Sequence, residues 1–118
     1  MKLRMWPLCA VSALAMLFPV TAAQAAPAAA APACPGGSVC FYSGSDYSGK
    51  SWEWTANSGY RDLPPALHDH VGSFVANTDA CFIAYQPTEK RAVHNGDWRR
   101  DYRGDFGGRM DGVGPGHC

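Results

Sequence analysis

The segment from Cys34 to Gly49 limits the fold of this chain more than any other stretch. It reads Cys-Pro-Gly-Gly-Ser-Val-Cys-Phe-Tyr-Ser-Gly-Ser-Asp-Tyr-Ser-Gly, so it joins two cysteines six residues apart to two tyrosines five residues apart and a final glycine. The proline and glycines between the cysteines favour a turn that brings the two cysteines together. These features predict an oxidised, exported, all-β domain and argue against an enzyme.

The N-terminal segment is typical of an export signal. Lys2 and Arg4 precede an almost wholly apolar run over residues 5–20, and the small residues within 23–25 suit a signal peptidase. The apolar run is short, contains two prolines and has no charged stop after it, so a permanent membrane span is not expected. We therefore predict a signal peptide at residues 1–25 and a secreted, extracellular protein without membrane attachment after cleavage.

The residues after the signal divide into a leader and one small domain. Residues 26–33 are only alanine and proline, and the prolines interrupt any helix, so this leader is expected to be disordered. The folded domain is predicted at residues 34–118. A domain of this size buries a modest fraction of its surface and often needs covalent support.

Four cysteines follow the signal, at Cys34, Cys40, Cys81 and Cys118. An even number of cysteines in a small exported domain predicts disulfides, and the count alone leaves three pairings open. The turn before Cys40 favours a Cys34–Cys40 bridge, with Cys81–Cys118 as the consistent second bridge. A zinc site is disfavoured because no close cysteine pair recurs and because export favours oxidation.

The charge balance suggests neither nucleic acid nor an anionic membrane as a partner. Beyond residue 25, ten acidic residues outnumber eight basic ones, which gives a net charge of −2. The C-terminal arginines alternate with aspartates, and this pattern predicts a solvated surface with local ion pairs.

Short runs of aromatic and β-branched residues predict strands at 38–43, 51–55, 72–77 and 81–85. A brief turn or corner is expected at 63–67. The 13 glycines and 9 prolines of the chain oppose long helices. Several short strands at this spacing favour a sandwich or barrel with Greek-key connections.

The pattern Tyr42-x-x-x-x-Tyr47-x-Gly49, followed downstream by Ser73, resembles the Greek-key signature of βγ-crystallin domains. In such a hairpin one aromatic packs on the other, the glycine adopts positive φ, and the serine hydroxyl fixes the hairpin. The longer match, over roughly residues 34–95, resembles the secreted microbial metalloproteinase inhibitors of peptidase inhibitor family 36. The resemblance implies an all-β, small Greek-key βγ-crystallin-like sandwich with two disulfides.

The same resemblance implies a non-enzymatic, monomeric inhibitor whose partner is a secreted thermolysin-like protease. Such inhibitors present a rigid loop as a slowly cleaved substrate, and here the corresponding loop is residues 86–97. The alignment places the scissile bond at Ala92–Val93, with Val93 in the apolar pocket of the protease. The flanking residues are Lys90, Arg91 and His94. Family members have a disulfide-bonded cysteine where this chain has Ala92.

Two other interpretations of this loop are open. It is an ordinary solvent-exposed connection if the domain is a structural or binding βγ-crystallin-like module without inhibitory activity. Alternatively, Lys90 or Arg91 is the specificity residue for a trypsin-like serine protease.

The sequence His68-Asp69-His70 is a candidate transition-metal site, since a strand would place both imidazoles on one face. A third ligand, His94 or His117, is not placed by the sequence. Polar residues on a corner before the strand at 72–77 are the favoured interpretation.

The same region resembles a degraded calcium motif, with Asp69 and Ser73 as candidate ligands. His70 and Phe74 stand where further oxygen ligands are expected, so hard ligands are missing. We therefore predict no cofactor, and calcium is only a candidate.

The sequence contains no nucleophile or metalloprotease motif of the common kinds. Trp52 and Trp54 lie on one face of a predicted strand and could stack on a carbohydrate. A role in the core is favoured in so small a domain.

Overall fold

The computed structural model describes residues 30–118, which form two four-stranded antiparallel sheets. The predicted signal peptide, residues 1–25, and residues 26–29 of the predicted leader lie outside the described residues. The strands are β1 (Ser38–Tyr42), β2 (Ser51–Thr55), β3 (Arg61–Asp62), β4 (Ser73–Ala76), β5 (Ala80–Tyr85), β6 (Thr88–Val93), β7 (Trp98–Arg99) and β8 (Gly112–Pro115). The strand order is β2-β1-β4-β7 in the first sheet and β3-β8-β5-β6 in the second.

The domain consists of two consecutive units with the same strand arrangement. We call residues 38–76, with β1 to β4, the first half, and residues 80–115, with β5 to β8, the second half. The third strand of each half crosses to the other sheet, since β3 pairs with β8 and β7 pairs with β4. The prediction of an all-β Greek-key sandwich is therefore confirmed.

Aromatic side chains from both sheets fill the space between them. The Phe82 ring lies 5.3 Å from the Phe41 ring and 5.0 Å from the Phe74 ring, measured between centroids. Trp54 is buried, and its indole N–H donates to the Gly59 carbonyl at 2.8 Å. Trp52 packs against the core, as expected from its position on the same strand face.

Two disulfides, Cys34–Cys40 and Cys81–Cys118, are present, and this is the predicted pairing. The first closes the short turn that leads into β1, with its Cα atoms 6.0 Å apart. The second joins β5 to the last residue of the chain, with its Cα atoms 5.1 Å apart. Each disulfide thus fixes one half of the domain.

The four predicted strands correspond to β1, β2, β4 and β5, each within two residues of its observed bounds. The other four strands were not predicted. Helical structure within residues 30–118 is limited to three short 3₁₀ segments, at Ser45–Tyr47, Ala56–Ser58 and Phe106–Arg109. In this part of the chain no helix has the length and apolar character needed to cross a bilayer.

Candidate functional site

The tyrosine motif of the first half fixes the connection between β1 and β2. The rings of Tyr42 and Tyr47 meet edge to face, with centroids 5.7 Å apart. The Ser73 hydroxyl accepts the Tyr47 backbone N–H at 2.9 Å and donates to the Gly44 carbonyl at 2.7 Å. Gly49 has a φ of +81°, which glycine adopts without strain. These residues therefore act in the scaffold.

Half of the segment expected to be an exposed loop, residues 86–97, is a β-strand, so the expectation of a loop is wrong for residues 88–93. Thr88–Val93 forms β6, which pairs with β5 after a connection of only two residues. The strand was not predicted because the segment contains several charged residues. β6 is an edge strand of the second sheet, and charged residues are common on edge strands.

The side chains of β6 alternate between solvent and the domain. Lys90 and Ala92 are exposed, and His94 is exposed just beyond the strand. Val93 is only 6% exposed and belongs to the hydrophobic core. Because its side chain is already buried, Val93 cannot fill the pocket of a protease in this conformation.

The turn after β6 is held by backbone hydrogen bonds. The His94 N–H donates to the Asp97 carboxylate at 2.8 Å, and the Asn95 N–H donates to the Asp79 carboxylate at 2.9 Å. The Gly96 N–H donates to a carbonyl of β4 at 2.9 Å. The chain on the C-terminal side of the Ala92–Val93 bond is therefore fixed independently of β6.

The Cys81–Cys118 disulfide lies beside the Ala92–Val93 bond. Ala92 has no cysteine of its own, but its direct partner on β5 is Cys81. The bridge spans 37 positions of the sequence, and the Ala92–Val93 bond lies inside the loop that it closes. A cut at this bond would leave two pieces that are still covalently joined.

The inward positions of β6 carry charged residues that are paired with their surroundings. Glu89 accepts two hydrogen bonds from Arg109, each 3.1 Å long, and these lower the pKa of the Glu89 carboxyl below its ordinary value. The Arg91 guanidinium lies over the Phe106 ring, 4.9 Å from its centroid. Arg91 is therefore engaged within the domain, whereas Lys90 is available to solvent.

A groove of about 290 Å³ lies between β6 and β7, and Ala92 and Arg99 are part of its lining. Trp98 stands at this groove on β7 with 55% of its surface exposed. An exposed indole beside Ala92 adds apolar contact area next to the predicted scissile bond.

A second polar cluster joins the two halves of the domain. His68 Nε2 lies 3.1 Å from Asp111 Oδ1, and His68 Nδ1 lies 3.5 Å from Asp69 Oδ2. The three side chains line an open pocket of about 560 Å³. Residues 65–69 form a turn, which agrees with the favoured interpretation of polar residues on a corner. The alternative pairing of His68 with His70 on one strand face is not found, and His70 is not part of the cluster.

The candidate calcium ligands, Asp69 and Ser73, are not brought together in a way that favours this role. Ser73 is fully buried, and its hydroxyl already serves the hairpin as both donor and acceptor. Asp69 faces His68 instead. The candidate third metal ligands, His94 and His117, also lie outside the polar cluster. Calcium stays only a candidate from the sequence.

Sequence comparison connects the chain to inhibitors and to germination-related proteins. The model of peptidase inhibitor family I36 matches residues 27–90. A gerABC family protein of Dictyostelium discoideum is 43% identical over 82 residues, which cover 70% of this chain and 74% of the relative. Spore germination protein 1 of the same organism is 34% identical, over 71% of this chain and 68% of the relative.

Structural comparison identifies the fold. A domain solved in work on the evolution of the eye lens βγ-crystallin domain fold superposes with a TM-score of 0.56 and 16% sequence identity. The match covers 75% of this chain and 95% of that domain. The Greek-key sandwich is therefore a βγ-crystallin-like fold.

The family match covers the disulfide turn, the tyrosine motif and the strands through β5, which are the parts that define the scaffold. It ends two residues before Ala92, so the predicted scissile bond lies just outside it. Membership supports peptidase inhibition as the class of function. The chain belongs to peptidase inhibitor family I36.

Proposed function

We propose that this chain is secreted and inhibits an extracellular thermolysin-like metalloprotease as a slowly cleaved substrate at Ala92–Val93. In this proposal the signal peptide ends at residue 25 and residues 34–118 form the inhibitory domain. The observation that carries the proposal is the Cys81–Cys118 disulfide, which encloses the Ala92–Val93 bond and lies directly across from Ala92.

The backbone of β6 supports this role because proteases bind substrates in an extended form. β6 is extended and is the last strand of its sheet, so one of its edges is free of strand partners within the described residues. A protease can bind such an edge by adding main-chain hydrogen bonds. Ala92 is exposed on this strand, and the Trp98 ring offers apolar surface nearby.

The burial of Val93 adds a free-energy cost to the binding of a protease at this bond. To enter a protease pocket, Val93 must leave the core, which costs about 1.5–3 kcal/mol for a fully buried side chain of this type. The end of β6 must therefore open before cleavage, while the turn after it stays fixed. This requirement slows cleavage.

The anchors on both sides of the bond favour retention after a cut. The new end at Ala92 stays paired with β5, and the new end at Val93 stays attached to the turn at 94–97. The disulfide keeps the two pieces joined, so the new ends stay close enough for resynthesis of the bond. Preorganised ends lower the ordering cost of binding and slow the escape of product.

The test is an inhibition panel of secreted metalloproteases and serine proteases against the oxidised domain. We expect saturable inhibition of a thermolysin-like enzyme. Samples recovered from the complex should run as one band without reductant and as two bands after reduction. Rapid complete cleavage without inhibition would contradict the proposal.

A matched pair of variants tests the position of the site. Ala92→Glu and Thr88→Glu introduce the same charge at two exposed positions of β6, four residues apart. We expect Ala92→Glu to weaken inhibition by more than about tenfold and Thr88→Glu to leave it nearly unchanged. Inhibition of a trypsin-like enzyme that disappears in Lys90→Ala would instead assign specificity to Lys90.

The second candidate function is a βγ-crystallin-like structural or binding module without inhibitory activity. The burial of Val93 favours it, because the residue assigned to the protease pocket serves the core. This candidate predicts no inhibition across the panel and resistance to cleavage at Ala92–Val93. Its calcium version also predicts a higher melting temperature with calcium than with chelator.

A further inference from the structure

We propose that the rings of Tyr60 and Tyr85 form a binding surface for a polysaccharide of β-linked, equatorially substituted sugars, such as cellulose or chitin. The surface lies on the outer face of the second sheet, over β8, and β5 separates it from β6. It therefore does not depend on peptidase inhibition. Within residues 30–118 the exposed large hydrophobic side chains are Tyr60, Tyr85 and Trp98, so this surface contains two of the three.

The register of the second sheet brings the two tyrosines to the same face. Gly112 pairs directly with Asp62 on β3 and with Ile83 on β5, so these three residues share one face of the sheet. Tyr60 and Tyr85 each lie two positions from one of these partners. Because side chains alternate along a strand, both tyrosines point to this same side. The opposite face of the sheet packs on the hydrophobic core.

The Tyr60 ring lies along β8 and covers two of its glycines. A Cβ added to Gly112 would meet the Tyr60 hydroxyl and lie 2.8 Å from the Cζ atom of Tyr60. A Cβ added to Gly114 would lie 3.5 Å from the Cδ2 atom of the same ring. The ring therefore spans both glycines, and both are buried. Since 47% of Tyr60 is exposed, the side of the ring away from β8 is open to solvent.

The Asp62 carboxylate fixes the orientation of both rings. The Tyr85 hydroxyl donates to Asp62 Oδ1, and the Tyr60 hydroxyl donates to the same oxygen at 3.4 Å. The Tyr85 hydroxyl also lies 3.0 Å from the position of a Cβ on Gly112, so the two hydroxyls converge above this glycine. Rings that are already held in place lose little conformational entropy when a ligand stacks on them.

Fixed and exposed aromatic rings suit sugars whose hydroxyls are equatorial. Such a sugar presents a flat face of C–H groups that packs on an aromatic ring, while its hydroxyls stay at the edge, where they can form hydrogen bonds. Asp62 is exposed, and both tyrosine hydroxyls bind its Oδ1, so its Oδ2 can accept a sugar hydroxyl. A chain of β-linked sugars is extended and can contact both rings.

The charge at the centre of the surface favours a polysaccharide over a protein partner. The centre of a protein interface is depleted of charged residues, because a carboxylate buried there without a partner is costly. Asp62 lies between the two tyrosine hydroxyls, so a protein that covered both rings would also bury this carboxylate. Sugar hydroxyls can donate to it directly, and the edge of the bound sugar stays in contact with water.

An open pocket beside Tyr85 extends the surface. The pocket has a volume of about 560 Å³, and its lining includes Tyr85, Gln86 and Pro87. This volume lies within the usual range for ligand sites. The proline ring adds apolar area, and the Gln86 amide can both donate and accept hydrogen bonds. A chain of sugars that lies on Tyr60 can continue past Tyr85 into this pocket, which favours an extended ligand over a single sugar.

The experiment is isothermal titration of the oxidised protein with cellohexaose and with chitohexaose. Maltohexaose is the matched control, because it is also a hexasaccharide of glucose but its α-linkages curve the chain. We expect saturable binding of at least one of the two β-linked hexasaccharides and no saturable binding of maltohexaose.

Variants of the two rings test the position of the surface. Tyr60→Leu keeps an apolar cover over Gly112 and Gly114 but removes the ring, and it should lower the affinity by about tenfold or more. Tyr85→Leu should have a similar effect. Tyr60→Phe keeps the ring and should retain most of the affinity. Trp98→Leu is the matched control, since it removes an exposed ring outside this surface and should leave the affinity unchanged.

Melting curves without ligand show whether each variant is folded. Absence of saturable binding of both β-linked hexasaccharides to the wild type overturns the proposal. Unchanged affinity in Tyr60→Leu, an equal loss in Trp98→Leu, or equal binding of maltohexaose also overturns it. If Tyr60→Leu melts below the temperature of the titration, unchanged affinity in Tyr85→Leu overturns the proposal instead.

Discussion

The two halves of the domain share a strand order but close their first hairpins differently. In the first half, residues 43–50 join β1 to β2, and the Ser73 hydroxyl anchors this long connection through the Tyr47 N–H. In the second half only residues 86–87 join β5 to β6. There the Asp111 carboxylate, just before β8, accepts a backbone N–H from Tyr85.

This difference separates scaffold from candidate function. A neutral, buried hydroxyl in the first half can only hold the hairpin. A carboxylate in the second half also holds the hairpin, but it brings a charge that faces His68. The short connection of the second half lets β6 extend along the sheet edge, where Ala92 is exposed. The candidate inhibitory segment therefore lies wholly in the second half, whereas the polar cluster takes His68 and Asp69 from the first half and Asp111 from the second.

The largest expected difference between the halves concerns their disulfides. Replacing Cys81 and Cys118 by serine should lower the free energy of unfolding by about 4 kcal/mol. Replacing Cys34 and Cys40 should lower it by only about 2 kcal/mol, because the Cys34–Cys40 bridge closes a much shorter loop. Urea unfolding measures both. Only the variant that lacks Cys81 and Cys118 should also change from a slowly cleaved inhibitor into a rapidly cleaved substrate. A greater loss for the Cys34–Cys40 variant would contradict this ranking.

The next largest difference is expected between Ser73 and Asp111, the two residues that anchor the first hairpins of the halves. Ser73→Ala leaves the Tyr47 N–H and the Gly44 carbonyl, both half-buried, without their partner, and this should cost about 2 kcal/mol. Asp111→Asn keeps an acceptor for the Tyr85 N–H and should cost less than about 1 kcal/mol. Chemical denaturation compares the two variants, with exposed Ser48→Ala as the control. Equal losses for Ser73→Ala and Asp111→Asn would mean that the anchors do not differ.

A smaller effect is expected at two glycines with positive φ. Gly49 has a φ of +81° in the first hairpin, and a Cβ there would contact the Ser43 hydroxyl and lie 3.1 Å from the Gly44 nitrogen. Gly96 has a φ of +100° in the second half, with no atom within 4 Å of an added Cβ. Alanine should cost about 1 kcal/mol at Gly96 from backbone strain alone, and about 2 kcal/mol at Gly49. Melting temperatures should rank them in this order.

The smallest effect concerns the surface charges of the second half. Hydrogen bonds from Arg109 lower the pKa of Glu89, and a hydrogen bond from Arg99 lowers the pKa of Asp105. Because both folded-state pKa values are lowered, their stabilisation is present above the unfolded values near about pH 4. It is lost as the pH falls through the lowered folded values. Glu89→Gln should make the melting temperature depend less steeply on pH over this acid range. The same dependence of melting temperature on pH in the variant and the wild type would contradict the prediction.

The sequence revealed the first half well because its signals are local. The two tyrosines, Gly49 and the early cysteine pair all lie within a short segment and have specific conformational roles. The second half lacks such signals. Two of the three inward positions of β6 are the charged residues Glu89 and Arg91, and only the third, Val93, is apolar. Glu89 pairs with Arg109 and the Arg91 guanidinium lies over Phe106, so no alternation of apolar residues marks the strand. β8 reads Gly-Val-Gly-Pro, which is a typical loop composition.

The candidate sites depended even more on the folded structure. His68 and Asp111 are distant in sequence. They meet only because β3, the strand before His68, pairs with β8, the strand after Asp111. The sequence named Ala92–Val93 from a family resemblance, but it could not show that Val93 is buried. It also could not show that Cys81 lies opposite Ala92, because strand register is a property of the assembled sheet.

The crossing of β3 and β7 has a consequence for the chain as a whole. Each half gives one strand to the sheet of the other, so neither half contains all the strands of either sheet. Each disulfide joins a residue of one half to the chain just outside the same half, at Cys34 or Cys118, and no covalent bond except the main chain at residues 77–79 connects the halves. Two fragments divided in this linker should therefore be unstable alone and should reassemble when mixed. The domain is suited to fragment complementation, in which recovery of the fold reports that two attached partners have met.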